Sequence, residues 1–117
     1  MDVVIRNALV SDASKLNSLL TLLIHDEKKY DTNINGDYVV NEYYENVLGL
    51  DTTVAFVAIV NNEIIGYIYG YIIDNDAYVD KLAVLDALYV TNGYRGLKIG
   101  TRLIDIFKEW TNGFGVK

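Results

Sequence analysis

The chain has 117 residues, 51% of them hydrophobic and with a formal charge of −6, so it can bury one core and is too short for two ordinary domains. We therefore predict a single domain spanning residues 1–117. The absence of cysteine excludes disulfides, thiolate metal sites and cysteine nucleophiles. Because no signal pattern opens the chain and no apolar run reaches roughly 18 residues, we expect a cytoplasmic protein without membrane contact.

The charge is unevenly distributed along the chain. Residues 1–92 hold 14 acidic and 5 basic side chains, whereas residues 93–117 hold 2 acidic and 5 basic ones. An acidic body with one small basic patch argues against a nucleic-acid binder, which spreads Lys and Arg along a face. The distribution fits a phosphorylated ligand meeting a cationic second substrate, and an acidic solvated surface is the alternative explanation.

The first half of the chain predicts one strand and two helices. An extended segment begins at Val3–Ile5, and Ser11 or Asp12 is suited to cap a helix. The apolar positions of that helix recur on one face: Leu16, Leu19, Leu20, Leu23 and Ile24. After a polar loop over residues 31–37, a second helix is predicted over about Tyr38–Leu48, with Gly49 ending it.

The middle of the chain predicts a hairpin. Val54–Val60 and Ile64–Ile73 are rich in β-branched and aromatic residues, and Asn61, Asn62 and Glu63 between them are typical of a tight turn. After a turn at Asn75 and Asp76, a long strand is predicted over Tyr78–Val90. A third helix is predicted over Ile99–Trp110, ending near Gly113.

The segment between that strand and the third helix has the chemistry of a phosphate site. Residues 88–103 read LYVTNGYRGLKIGTRL, in which a strand feeds a loop that opens a helix. A helix N-terminus presents unpaired N–H groups, and Gly96 and Gly100 lack the Cβ that would hold an anion off the backbone. Arg95, Lys98 and Arg102 add positive charge. A glycine-rich helix start without a ligand is the alternative.

This pattern resembles the acyl-CoA signature of the GNAT (acyl-CoA N-acyltransferase) superfamily, Arg/Gln-x-x-Gly-x-Gly/Ala after a Leu-Tyr-Val strand. The match falls on six residues, Arg95, Gly96, Leu97, Lys98, Ile99 and Gly100. It departs from the family at Lys98, where the first defining Gly usually stands. The resemblance implies a mixed α+β fold, of the α/β class in the broad sense, with a largely antiparallel sheet flanked by helices in the order β-α-α-β-β-β-α. That order is the N-terminal two-thirds of the family fold, so the resemblance predicts a chain truncated before the last strands and helix.

The resemblance also implies a function and a cofactor site. It predicts an N-acetyltransferase that moves an acetyl group from acetyl-CoA directly to a primary amine of a small molecule or peptide. The cofactor would contact the six loop residues, Thr101, and the main chain of Leu88, Tyr89 and Val90. The alternative is a CoA-binding or assembly module of the same fold without turnover, because the family's C-terminal site residues are missing.

Asp86 is the candidate catalytic residue. It lies four residues before Val90, where several family members place a Glu that draws the proton from the amine. Its alternative role is an exposed strand carboxylate, since Asp is shorter than Glu and its ordinary pKa of about 3.9 makes it a poor base unless burial raises that pKa. His25, the only histidine, is interpreted as a helix-dipole partner at a helix C-terminus.

The remaining candidates are weaker. Tyr67, Tyr69 and Tyr71 alternate on one strand face, which is typical of sheet packing, although such rings could also line an amine pocket. No metal site is expected, because the acidic pairs lack a ligand arrangement. If the chain ends at Lys117, the long strand has an open edge, and we expect a homodimer in which a second copy covers that edge or the tail over Phe114–Lys117.

Overall fold

The computed structural model describes residues 2–31, 33–74 and 79–116. Its strands are β1 (Val4–Asn7), β2 (Thr53–Val60), β3 (Glu63–Ile73) and β4 (Leu82–Val90), and its helices are α1 (Ala13–Glu27), α2 (Tyr43–Val47) and α3 (Ile99–Asn112), with a 3-10 turn at Val10–Asp12. The strands form one antiparallel sheet in the order β1-β2-β3-β4. The predicted mixed α+β fold and its element order are therefore confirmed.

The sheet is covered on both faces, because its strands alternate between two apolar sets. Helices α1 and α2 pack on one face, where the buried side chains include Leu16, Leu19, Tyr44, Val57, Tyr67 and Tyr69. Helix α3 packs on the other face, where they include Phe56, Ile65, Ile68, Ile99, Leu103 and Phe107. The loop over residues 91–98, which contains most of the predicted phosphate-binding residues, joins the edge strand β4 to α3. It therefore lies at one end of the sheet.

The hairpin prediction is confirmed almost to the residue. Asn61 and Asn62 have φ values of 50° and 65°, so both occupy the left-handed region that a two-residue type I′ turn requires. Asparagine tolerates this region better than most residues, because its short polar side chain bonds locally. The turn fixes the register of β2 against β3, which begins with Val60 opposite Glu63.

The second helix is much shorter than predicted, because only Tyr43–Val47 is helical and residues 38–42 are not. Apolar residues do recur at helical spacing there, and Val40 is buried. However, the Val40 N–H donates to Thr21 Oγ1 of α1 at 2.9 Å. A side chain of another element thus supplies the acceptor that a helical carbonyl would have provided, and no local pattern signals it.

The predicted boundaries of the long strand also change. Strand β4 begins at Leu82, and residues 79–81 are outside it. The predicted start at Tyr78 and the predicted turn at Asn75 and Asp76 lie outside the described residues. At the other end of the chain, α3 runs two residues beyond the predicted Trp110.

Strand β4 contains a β-bulge at Asp86. Tyr69 of β3 pairs with Ala87 and Gly70 pairs with Leu85, so Asp86 is the extra residue. In a regular strand Asp86 would point away from the face that Ala87 occupies. A bulge re-aims its extra side chain. The bulge therefore interrupts the alternation of side chains between the two faces of the sheet at Asp86, the candidate catalytic residue.

Gly70 makes room for this bulge, and we expect Gly70→Ala to destabilise the protein. A Cβ there would lie 2.4 Å from both Phe107 Cζ and the Val84 carbonyl oxygen. Overpacking of this kind costs about 1 to 3 kcal/mol of unfolding free energy, measurable by urea denaturation. Gly100→Ala is the control, since the nearest neighbour of its Cβ would be Val90 Cγ2 at 4.0 Å. Equal stability of both variants would contradict the prediction.

The outer edge of β4 has no partner strand among the described residues. Leu82 and Leu85 on this strand are exposed. The homodimer expected from such an edge stays a prediction. No helix in the described part of the chain is long and apolar enough to cross a membrane.

Candidate active site

The loop between β4 and α3 turns through three residues with positive φ. Its start is anchored to the sheet, because the Thr91 N–H donates to the Ile65 carbonyl at 2.7 Å. Gly93, Gly96 and Lys98 then have φ values of 100°, 83° and 63°. Glycine adopts this region without steric cost, which accounts for two of the three.

Lys98 is the N-cap of α3 and holds the left-handed conformation, with φ 63° and ψ 17°. A residue with a Cβ pays about 1 kcal/mol for this geometry, whereas glycine does not. The departure from the family signature therefore falls at a position whose backbone conformation favours glycine.

The first turn of α3 presents three backbone donors without an acceptor. The first hydrogen bond of the helix runs from the Arg102 N–H to the Lys98 carbonyl at 3.1 Å. In the described part of the chain, the N–H groups of Ile99, Gly100 and Thr101 have no backbone acceptor and no side chain caps the helix. Free N–H groups and the positive end of the helix dipole together favour an anion.

These donors border a cleft of about 390 Å³. Its lining residues are Val90, Tyr94, Arg95, Gly96, Lys98, Ile99, Gly100 and Thr101. The structure thus brings together most of the residues predicted to bind the cofactor. Leu88, Tyr89 and Leu97 are not among the lining residues: Leu88 packs against the α3 side of the sheet, Tyr89 is buried on the α1 side and Leu97 is exposed.

Gly100 is not required by the packing of the protein itself. A Cβ at this position would meet nothing closer than Val90 Cγ2 at 4.0 Å. A glycine inside a helix costs up to about 1 kcal/mol relative to alanine. The residue therefore leaves open space at the cleft where a ligand could approach the backbone.

The Arg95 side chain contacts three other groups of the protein. Its Nε donates to the Val90 carbonyl at 2.8 Å, its Nη2 lies 3.1 Å from Asp26 Oδ2, and its guanidinium lies 5.2 Å from the centre of the Tyr89 ring. No local pattern indicated Asp26 as a partner, because 69 residues separate it from Arg95. Arg95 therefore fastens the loop to α1 as well as lining the cleft.

The other predicted cations divide between the cleft and the surface. Lys98 lines the cleft. The Arg102 guanidinium turns instead toward β1, where Nη2 lies 3.5 Å from the Val3 carbonyl oxygen. The positive charge at the cleft therefore comes from Arg95, Lys98 and the helix terminus.

A cluster of five tyrosines occupies the α1 and α2 side of the sheet. Its members are Tyr43, Tyr44, Tyr67, Tyr69 and Tyr71. Neighbouring rings meet edge to face with centroids 5.0 to 6.1 Å apart, and the Tyr69 and Tyr71 rings are 6.3 Å apart and tilted. Such contacts favour the fixed ring orientations of a packed core. The packing interpretation of the β3 tyrosines is thus correct for Tyr67 and Tyr69, which are 0% and 2% exposed.

Four hydroxyls of this cluster, those of Tyr43, Tyr44, Tyr67 and Tyr69, are held in their neutral form. The Tyr44 and Tyr67 hydroxyl oxygens are 2.8 Å apart and hydrogen-bonded in the interior. Burial is the main cause that raises the pKa of Tyr43, Tyr44, Tyr67 and Tyr69. The negative charge of Asp86 raises all four pKa values further.

The influence of Asp86 on these tyrosines shows which face of the sheet its carboxylate acts on. Asp86 is exposed, yet it is the one non-tyrosine charge that contributes to the raised pKa values of the cluster in the described part of the chain. The carboxylate of Asp86, at the bulge, therefore lies within electrostatic reach of the tyrosine cluster. Sequence reasoning missed Tyr43 and Tyr44 as neighbours of Asp86, and the abundance of tyrosine was the only available signal.

His25 has a structural role in this arrangement. It lies in the last turn of α1, as its interpretation as a helix-dipole partner requires. Its Nε2 is 2.7 Å from the Tyr38 carbonyl oxygen, so it also fastens the segment before α2. The described residues include no group of three or more His, Asp or Glu side chains that could hold a metal ion.

Comparisons with known proteins agree with this architecture. Residues 20–117 match the family profile described as "Acetyltransferase (GNAT) family". No curated protein matches the sequence. An acetyltransferase from Vibrio fischeri is 27% identical, with a TM-score of 0.75, and the match covers 97% of this chain and 90% of that one.

Two further solved structures share the fold. A ribosomal-protein-alanine N-acetyltransferase from Brucella melitensis is 21% identical with a TM-score of 0.71, and the match covers 100% of this chain and 76% of that one. An aminoglycoside acetyltransferase from an uncultured soil metagenomic sample, solved with sisomicin, is 20% identical with a TM-score of 0.74. That match covers 98% of this chain and 73% of the other.

Proposed function

This chain belongs to the acetyltransferase (GNAT) family and is an N-acetyltransferase, and we propose that it moves an acetyl group from acetyl-CoA directly to a primary amine. The observation that carries the proposal is the row of free N–H groups at Ile99, Gly100 and Thr101 beside an open cleft. That arrangement is complementary to a pyrophosphate. The acceptor is an amine of a small molecule or a peptide.

The chain's own groups divide the work of holding acetyl-CoA. The N–H groups from Leu97 to Thr101 hold the pyrophosphate, and Lys98 adds charge at the cleft. The unpaired edge of β4 offers main-chain groups of Leu88, Tyr89 and Val90 to the pantetheine amides and the thioester oxygen. The Val90 carbonyl accepts a hydrogen bond from Arg95 Nε. Arg95 therefore also fixes the direction of the strand end.

Asp86 is the proposed proton acceptor. Attack on a thioester requires a neutral amine, and the proton that the ammonium loses needs a base within reach. The bulge places Asp86 outside the regular β3 ladder and on the exposed surface, where an acceptor could reach it. Acetyl-CoA supplies the activated acyl group when it is bound.

Isothermal titration calorimetry with CoA tests the cofactor site. We expect Gly100→Ala to weaken CoA binding by about tenfold or more, because its methyl group would occupy the space next to the free N–H groups. The same variant should not lose thermal stability, since no atom crowds that position. Lost affinity without lost stability is the signature of a ligand site.

Two outcomes would change this assignment. No binding of CoA by the unaltered chain at millimolar ligand would contradict the cofactor site. Binding of CoA without release of free thiol from acetyl-CoA, across a panel of primary amines, would instead indicate the CoA-binding module without turnover.

A further inference from the structure

Resting on the proposed function, we propose that the acceptor is a cationic amine with no carboxylate next to its amino group. The surface formed by Asp86, Tyr43 and Tyr71, here called the acceptor surface, is the site that would select it. Free amino acids would be rejected there, whereas alkylamines and amines with a neutral amide neighbour would be accepted.

The first argument is the unpaired charge of Asp86. Four cations are held by carboxylates of the acidic body: the pairs are Arg6 with Asp12, Lys15 with Glu63, Lys81 with Asp74 and Arg95 with Asp26. In residues 2–31, 33–74 and 79–116, Asp86 has neither a salt-bridge partner nor a hydrogen-bond donor. An ammonium ion from a ligand would supply both.

The second argument is the chemistry around that carboxylate. Tyr43 is 39% exposed and Tyr71 is half-buried, so both rings reach the surface beside a core of buried tyrosines. Tyrosine rings attract cations through their negative faces and also accept an alkyl stem. Burial and Asp86 keep the Tyr43 hydroxyl neutral, so the surface carries a single negative charge.

The third argument is the absence of a positive group that could receive an acid. Among the described residues, no lysine or arginine forms a salt bridge or a hydrogen bond with Asp86 or with a side chain of the tyrosine cluster. The carboxylate of an amino acid, one carbon from its amine, would meet Asp86 and find no partner. Like charges brought together in this way suppress binding of the wrong ligand.

Three matched ligands test the proposal. The binding of each ligand to the CoA-loaded protein is measured by NMR titration. They are pentylamine, norleucine, and norleucinamide, in which the carboxylate of norleucine is a neutral amide. We expect pentylamine and norleucinamide to bind about tenfold or more tightly than norleucine. Because norleucinamide has nearly the size of norleucine, this comparison separates charge from shape.

Substitutions identify the groups responsible. Asp86→Asn should remove the difference between norleucine and norleucinamide while CoA affinity is unchanged. Tyr43→Leu should weaken the binding of pentylamine severalfold and Tyr43→Phe should not, because the phenylalanine keeps the ring. Tyr30→Leu is the matched control, since Tyr30 is 86% exposed and outside the cluster.

The proposal is overturned if norleucine binds as tightly as norleucinamide, if Asp86→Asn keeps the discrimination, or if pentylamine does not bind at its solubility limit. These outcomes differ from a failure of the proposed function. Selective binding of amines without acetyl transfer would leave the acceptor surface in place and remove only the catalytic assignment.

Discussion

Above about pH 10 the free energy of unfolding should fall steeply with rising pH, because the folded protein raises the pKa of the Tyr44 and Tyr67 hydroxyls above that of tyrosine in the unfolded chain. Both side chains are fully buried and hydrogen-bonded to each other, and their pKa values are raised mainly by burial. The unfolded chain has ordinary tyrosines with a pKa near 10. Their contribution to stability is therefore complete below pH 10 and is lost as pH rises through the window above it.

The magnitude follows from the protons released on unfolding. Each buried hydroxyl that ionises only in the unfolded chain lowers the unfolding free energy by about 1.4 kcal/mol per pH unit. Two such groups give a slope of about 2.7 kcal/mol per pH unit between their unfolded and folded pKa values. Urea denaturation at a series of pH values measures this slope.

Matched substitutions separate this effect from the general alkaline instability of proteins. The double variant Tyr44→Phe and Tyr67→Phe keeps both rings and removes both hydroxyls together, so neither is left without its partner. Its slope above pH 10 should be shallower than that of the unaltered protein. Tyr30→Phe, at an exposed position, should leave the slope as it was. A double variant with an unchanged slope would contradict the prediction.

The parts of the fold that the sequence predicted depend on local signals. The turn at Asn61 and Asn62 is set by residues that tolerate positive φ. The loop before α3 is set by glycines and an amphipathic helix, whose bounds agree within two residues with the prediction. In these segments the chemistry that decides the backbone lies within a few neighbouring residues, so a pattern can show it.

The parts that the sequence did not predict depend on distant residues. The segment before α2 is not helical, because Thr21 of α1 supplies an acceptor for Val40. The bulge at Asp86 lies opposite Gly70, which Phe107 of α3 and the Val84 carbonyl of β4 approach closely. Neither partner is near in sequence. The candidate base was thus identified by position, whereas its orientation and its tyrosine neighbours required the tertiary structure.

The bulge also bears on the proposed role of Asp86 as the proton acceptor. In a regular strand successive side chains point to opposite faces of the sheet. Because Ala87 points to the α1 side, Asp86 would then point to the α3 side. Asp86 is instead the extra residue of the bulge, and its carboxylate lies within electrostatic reach of Tyr43 and Tyr69. This position at the bulge is the geometric basis for testing Asp86 by substitution.

We expect Asp86→Asn to lower kcat for acetyl transfer by about 10² to 10⁴, because asparagine keeps the size of the side chain and removes the proton acceptor. CoA affinity, measured by calorimetry, should be unchanged, since the cleft beside α3 does not include Asp86. Asp86→Glu retains the carboxylate and should keep most of the activity that Asp86→Asn loses. His25→Ala should have little effect on kcat, because its ring bonds the Tyr38 carbonyl. Equal kcat values for Asp86→Asn and the unaltered protein would exclude Asp86 as the base, and the proton would then have to leave through solvent.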